Sequence, residues 1–177
     1  MGAGARGEES MPRVVLETSK GNIVLELNAE KAPKTVESFL ATVRSGFYDG
    51  TIFHRVIKGF MLQAGGHDGD GTLKPTSVQV TNEADNGLKN VRGSVAMARK
   101  ADPHSASVQF FINHADNAFL DHTGKTPQGW GYAVFGKVVE GMDVVDAIAE
   151  VPVRRSGLSE AQPLEDVVLV KARVEGE

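Results

Sequence analysis

Short alternations of apolar and polar residues follow one another along this chain without a helix between each pair. Val14-Val15-Leu16-Glu17-Thr18 and Asn22-Ile23-Val24-Leu25-Glu26-Leu27 read as strands, and in the second Ile23, Leu25 and Leu27 share one face. Ser19-Lys20-Gly21 between them is short and contains glycine, which predicts a hairpin. Thr51–Val56 and Phe60–Ala64 form a second pair around Lys58-Gly59, and Ser94–Ala98, Val108–Asn113, Ala133–Val139 and Val167–Val174 are further strands. Only two segments carry helical spacing. Pro33 opens the first, where its missing N–H costs nothing, Val36, Phe39, Leu40 and Val43 make its apolar stripe, and Gly46 stops it. Asp143–Val151 is the second, with Val144, Val145, Ile148 and Val151 along one side. A doubly wound parallel sheet needs a helix after nearly every strand, so that class is excluded. The expected fold is mainly β, a closed or nearly closed antiparallel barrel with two flanking helices. Gly65–Asn90, rich in Gly, Asp, Asn and Thr, reads as a long surface loop with a short strand at Val78–Val80.

At 177 residues one domain is expected, over residues 12–177, and its length suffices for a core without staples. Residues 1–11 read as a disordered Gly/Ala/Glu-rich extension, with Met11 as the natural start. Met1–Ser10 has no apolar core of a secretory signal, and no apolar run has the length of a membrane span. The net charge of −4 argues against a nucleic-acid partner. With no cysteine, disulfides, thiolate metal sites and cysteine nucleophiles are excluded, and a reducing cytoplasm is the expected location. No amphipathic seam suggests an oligomer, so a monomer is expected.

Several motifs fail on context. Gly2-Ala3-Gly4-Ala5-Arg6-Gly7 matches GxGxxG, but no strand precedes it. Asp68-Gly69-Asp70 begins like a calcium loop, yet Thr72, Leu73 and Gln79 occupy the positions that need a ligand, a glycine and a closing acid. His54, His67, His104, His114 and His122 show no zinc spacing. No GxSxG elbow occurs, and Ser105 and Ser107 beside His104 are loop neighbours rather than a triad.

One run resists a bland reading. Phe53-His54-Arg55-Val56-Ile57-Lys58-Gly59-Phe60-Met61-Leu62-Gln63-Ala64-Gly65-Gly66 sets one arginine among large apolar groups, with a glutamine eight residues on. A guanidinium is costly to surround with oily side chains unless something meets it there. Alternation puts Met61 and Gln63 on one face, and likewise Gln109 and Phe111 of Val95–Asn113, with Phe110 and Ile112 opposite. Phe119-Leu120 adds apolar wall, and Gly129-Trp130-Gly131-Tyr132 adds aromatics. Taken singly, Phe60, Met61, Phe111 and Leu120 read as core, and Arg55 as a half-exposed partner of Glu83 or Asp85. Trp130 reads as packing beneath its own loop.

In FHRVIKGFMLQAGG, VAMA followed by QFFI, and PQGWGYAVFGKVVEGMDVVD, the chain resembles the cyclophilins, and most of all the small single-domain bacterial ones. The resemblance runs in order from Val14 to Val174. It implies a cyclophilin-like eight-stranded antiparallel β-barrel capped by two α-helices, and peptidyl-prolyl cis–trans isomerase activity assisting protein folding. It implies no cofactor and no metal. The implied partners are Pro-containing peptides and unfolded or folding proteins. Arg55 falls on the catalytic arginine, with Gln63 as its catalytic partner; Phe60, Met61, Phe111 and Leu120 fall on the proline pocket. Gln109 is a polar contact, Ala98 and Arg99 take the backbone-binding positions, and His54 lies at the rim. Phe119 stands where eukaryotic members carry tryptophan, which implies weak cyclosporin binding, and Tyr132 stands where they carry histidine. Arg99 replaces an asparagine, a change that bears on substrate preference rather than chemistry if the position works through its main chain. Other classes consistent with the same pocket are a proline-reading binding module with little turnover and a holdase that uses the apolar groove without regard to proline.

Overall fold

The hairpin forms where alternation puts it. In β1 (Arg13–Thr18) Val14 and Leu16 face Leu25 and Ile23 of β2 (Gly21–Leu27), and all four are fully buried. The computed structural model describes residues 11–177; the expected extension apart from Met11, and the GxGxxG match at Gly2–Gly7, lie outside the described residues. Helix α1 (Pro33–Arg44) starts at its proline and buries Val36, Phe39 and Val43. Its N-cap, Ala32, has no side-chain cap. The Glu83 carboxylate supplies one from 48 residues away, accepting from Thr35 N at 2.8 Å and from Thr35 Oγ1 at 2.7 Å. An anion there also complements the helix dipole.

The remaining strands are β3 (Thr51–Ile52), β4 (Arg55–Ile57), β5 (Met61–Ala64), β6 (Ser94–Met97), β7 (Phe110–Asn113), β8 (Val134–Glu140), β9 (Val153–Arg154), β10 (Gln162–Pro163) and β11 (Val168–Val174). The main sheet runs β3-β11-β1-β2-β8-β6-β7-β5-β4, and every pairing is antiparallel. Its two edges, β3 and β4, are halves of one stretch of chain, separated only by Phe53 and His54. Counted as one strand, they bring the sheet round on itself as the eight-stranded barrel expected. Closure leaves no long free edge to template aggregation.

The expected continuous strand Thr51–Val56 is split because its partners change. Phe53 N donates to Val167 O, whereas His54 O accepts from Ser159 Oγ and Val56 N donates to Ala161 O. The expected strand at Val78–Val80 reduces to one bridge, Val80 to Ala106. The strand expected from Val108 begins at Phe110, and the Val108 carbonyl accepts instead from Tyr48 Oη at 2.5 Å. The β9–β10 ribbon is an addition.

Inside the barrel Phe39, Tyr48, Phe110 and Phe135 pack with ring centroids 5.0–5.4 Å apart along their contacts. Burial without a charged partner pushes the Tyr48 hydroxyl pKa far up, so it stays neutral. The glycines that end the Arg55 run leave room for neighbouring side chains, Tyr48 of this core at Gly65 and Gln109 at Gly66. Gly65 has φ +99°, and a Cβ there would lie 2.8 Å from the Tyr48 ring; at Gly66 it would lie 2.3 Å from Gln109 Nε2. Helix α2 (Met142–Ala149) closes the opposite side through Val145 and Ile148. No helix among the described residues is long and apolar enough to cross a membrane.

Candidate active site

The outer face of the barrel wall is built by strand alternation. On β5, Leu62 and Ala64 join the barrel core, while Met61 packs on the outside with Ala96, Phe111, Leu120 and Val134. On β7 the division is the same, Phe110 and Ile112 inward and Phe111 outward. Register then aligns a row across four strands: Arg55 is paired with Gln63, Gln63 with Phe111, and Phe111 with Ala96. The row runs from a cation to an apolar floor. Phe60, Ala98 and Tyr132 pack around that floor.

Arg55 stands at the polar end, its side chain 29% exposed. Its Nη1 lies 3.5 Å from Gln63 Oε1 and 3.9 Å from Met61 Sδ, and its guanidinium carbon is 5.8 Å from the Phe60 ring centre. Gln63 Nε2 donates to Gln109 Oε1 at 2.9 Å, so the two glutamines brace each other. Beyond them a groove of about 690 Å³ continues between Ala98, Arg99 and Lys100 on one side and Lys74 to Gln79 on the other.

The pocket's far rim comes from a 3-10 turn, Ala118–Leu120, and from the segment before β8. Leu120 points in, 9% exposed; Phe119 is 75% exposed and stacks on Phe60 with ring centroids 5.7 Å apart. Tyr132 meets Phe111 edge-on at 5.9 Å. Arg99 turns its guanidinium over the Tyr132 ring at 4.5 Å, while its Nε donates to Gly131 O and its Nη1 to Lys100 O. The Arg99 backbone N–H donates to no group among the described residues. Ala98 N, in contrast, is taken by Gln109 O. Trp130 packs between His104 and His122 under its loop.

A buried amide network sits behind the pocket. The Phe60 carbonyl accepts from His114 N and Asn117 Nδ2; Asn117 also donates to Asn113 Oδ1, and Asn113 to Asn90 Oδ1 and Ser94 Oγ. Every member has a partner, so the network fixes the turn that carries Phe60.

His54 does not open onto a rim. It is 5% exposed, with its ring 4.4 Å from that of His67. Burial, and then the neighbouring His67 and Arg55, hold its pKa down at about 4, against a smaller opposing pull from Glu160. The folded protein therefore refuses a proton that the unfolded chain accepts below pH ~6.5. Stability supplied by the neutral ring is present above that pH and is lost as pH falls toward 4. Two and a half pKa units amount to about 3 kcal/mol. His67, also lowered by burial, acts in the same direction. In urea melts at pH 7.5 and 4.5, wild type should lose about 2–3 kcal/mol more than His54→Gln. Parallel losses would show that the ring is not the proton acceptor.

The partner of Arg55 is a residue the sequence did not single out. Glu160 takes Nε at 3.0 Å and Nη2 at 2.9 Å in a two-pronged ion pair. Glu83 and Asp85, the expected alternatives, are engaged elsewhere, Glu83 at α1 and Asp85 with Lys125 at 3.6 Å. Nothing local marks Glu160, which is 105 residues from Arg55 and in a loop with no apolar period. Arg55 holds the Glu160 carboxyl below its ordinary range.

The described arrangement offers an arginine N–H beside an apolar cluster of Met61, Phe111 and Leu120, and a backbone N–H at Arg99 with no partner among the described residues. The family model for cyclophilin type peptidyl-prolyl cis-trans isomerases matches residues 13–174. A Streptomyces antibioticus peptidyl-prolyl cis-trans isomerase, cyp18, is 60% identical over 94% of this chain and 100% of its own length. Peptidyl-prolyl cis-trans isomerase B of Escherichia coli K12 is 52% identical over 91% of this chain and 98% of its own. Crystal structures of a Cryptosporidium parvum cyclophilin type isomerase superpose at 26% identity. One has a TM-score of 0.77, covering 94% of this chain and 99% of that one. Another, obtained in the presence of the dipeptide Ala-Pro, has a TM-score of 0.76, covering 93% and 99%.

Proposed function

This chain belongs to the cyclophilin-type peptidyl-prolyl cis–trans isomerases, and from that membership we propose how its groove turns an Xaa-Pro bond and in which substrates. The reaction is rotation about an amide whose resonance sets a barrier of ~18–20 kcal/mol, while cis and trans differ little at proline. Uncatalysed exchange takes ~10–100 s, so reaching milliseconds requires about 10⁴-fold, or ~5–6 kcal/mol. No covalent bond is made or broken, and no cofactor is called for.

The proline ring rests on Met61, Phe111 and Leu120, flanked by Phe60 and Tyr132. The carbonyl before proline accepts from the Arg99 N–H and turns while the ring stays fixed. As the amide twists, the prolyl nitrogen becomes pyramidal and regains its lone pair. Arg55 Nη1 donates to that lone pair, an interaction absent in either planar form. A charge-assisted hydrogen bond supplies ~1.5–3 kcal/mol, so ring fixation and the Arg99 donor carry the remainder. Gln63 holds the guanidinium from below, and Gln109 holds Gln63. The single observation behind this reading is the Nη1 edge of Arg55, which stands by Gln63 Oε1 and Met61 Sδ at the border of the apolar floor.

The substrates we propose are Xaa-Pro segments of unfolded or folding chains, met by residues 12–177 as one monomeric domain in the cytoplasm. A nucleic-acid or membrane partner forms no part of this reading. Phe119 gives less surface than an indole, so cyclosporin binds weakly. Residue preference before proline rests with the loop from Gly65 to Asn90 and with Arg99 to Ser107. Exchange NMR on a panel of Xaa-Pro peptides tests the activity. Wild-type protein at micromolar concentration should bring cis–trans exchange into the sub-second range. Binding with unchanged exchange would make the chain a proline-reading module, and equal protection of proline-free clients from aggregation would make it a holdase.

A further inference from the structure

Arg55 has five N–H donors in a rigid plane. The ion pair with Glu160 occupies two of them, on Nε and Nη2, and leaves the Nη1 edge on the side of Met61 and Gln63. A long arginine side chain on an outer strand otherwise samples many rotamers, few of which aim that edge at one point. The carboxylate therefore selects an orientation, at the cost of part of the cation's field.

The loop that carries Glu160 is itself locked to the strand that carries Arg55. Ser159 Oγ donates to His54 O at 2.6 Å, and Val56 N donates to Ala161 O at 2.9 Å. These bonds bracket the pair, 159 to 54 on one side and 161 to 56 on the other. Ala161 N donates back to Ser159 Oγ, Leu158 N donates to Ser156 Oγ, and the β9–β10 ribbon closes the loop's base. Glu160 thus faces Arg55 as a cross-strand partner does, on a backbone fixed independently of the ion pair. Such a support gives a reacting group its geometry before substrate arrives.

We propose that Glu160, held on the Ser156–Ala161 loop, is a positioning residue for catalysis, fixing the Arg55 guanidinium so that its Nη1 edge meets the prolyl nitrogen. This inference rests on the reading of Arg55 as the donor to that nitrogen. Arg55 touches the reacting atom and Glu160 acts through it.

The test uses the full chain and an Xaa-Pro peptide with kcat and KM resolved by exchange NMR. Glu160→Ala should lower kcat about 10-fold and leave KM within twofold. Glu160→Gln, which keeps one acceptor oxygen and the loop, should lose about threefold. In an Arg55→Ala background, Glu160→Ala should change kcat by less than twofold, because its effect passes through the missing guanidinium. The Arg55 Nε–H resonance offers a second readout, protected from exchange in wild type and broadened by water exchange in Glu160→Ala. Equal losses in both backgrounds, or a change confined to KM, would overturn the positioning role. A wild-type kcat in Glu160→Gln and Glu160→Ala, with Arg55→Ala inactive, would overturn it while leaving Arg55 in place. An Arg55→Ala variant as active as wild type would instead overturn the reading on which it rests.

Discussion

Arg55→Ala should lower kcat/KM for an Xaa-Pro peptide by about 10²-fold, the loss typical of one transition-state hydrogen-bond donor. The fall should lie in kcat. A planar amide nitrogen has no lone pair to offer, so the ground state gains nothing from the guanidinium and KM stays within a fewfold. Arg55→Lys should recover only part of the loss. An ammonium is a point charge on a flexible stem and does not give Glu160 two donors while aiming a third at the substrate. Exchange NMR on both variants checks this, and an alanine variant that keeps wild-type kcat would sink the assigned role. Some catalysis should survive in Arg55→Ala, because Met61, Phe111 and Leu120 still seat a proline ring and the Arg99 N–H is unaffected.

Phe110→Ala should cost about 3–5 kcal/mol of stability, read as a fall in the urea midpoint at constant slope. The ring is fully buried and meets Phe39 and Tyr48 edge-on at 5.4 Å each. Its loss removes apolar contact and leaves a cavity that surrounding rigid strands do not collapse to fill. The next residue tests a different property. Phe111 lies on the other face of the same strand, in the smaller cluster with Met61 and Leu120. Phe110→Ala molecules that remain folded should keep their kcat, because the pocket face of β7 is untouched. An unfolding free energy within about 1 kcal/mol of wild type would contradict the account of the core.

The contrast between these neighbours was readable before any fold was known. Period-two alternation sends Phe110 and Ile112 one way and Phe111 the other, whatever the strand pairs with. The same local rule separated Met61 and Gln63 from Leu62 and Ala64 and set Ile23, Leu25 and Leu27 inward, and another local rule, the missing N–H of proline, made Pro33 the start of a helix. The apolar run around Arg55 therefore declared both a wall of a site and the residues lining it. Family likeness supplied Ala98 and Arg99, and gave Gln109, Leu120 and Tyr132, already named as wall residues, their roles.

What spacing does not carry is the identity of partners far along the chain. The barrel closes because one stretch, Thr51–Ile57, is shared between β11 and β5, and the break at Phe53–His54 arises from the Ser159 hydroxyl and the carbonyls of Ala161 and Val167. Glu83 caps α1 from a distant loop, and Arg55, which read as a partner of Glu83 or Asp85, is held by Glu160. His54 looked like a rim residue, and His67 encloses it. The sequence by itself determined which side of each strand is apolar, since that depends only on neighbours two residues apart. Which acid, ring or amide stands opposite a given side chain depends on sheet order and register, and only the tertiary structure decided that.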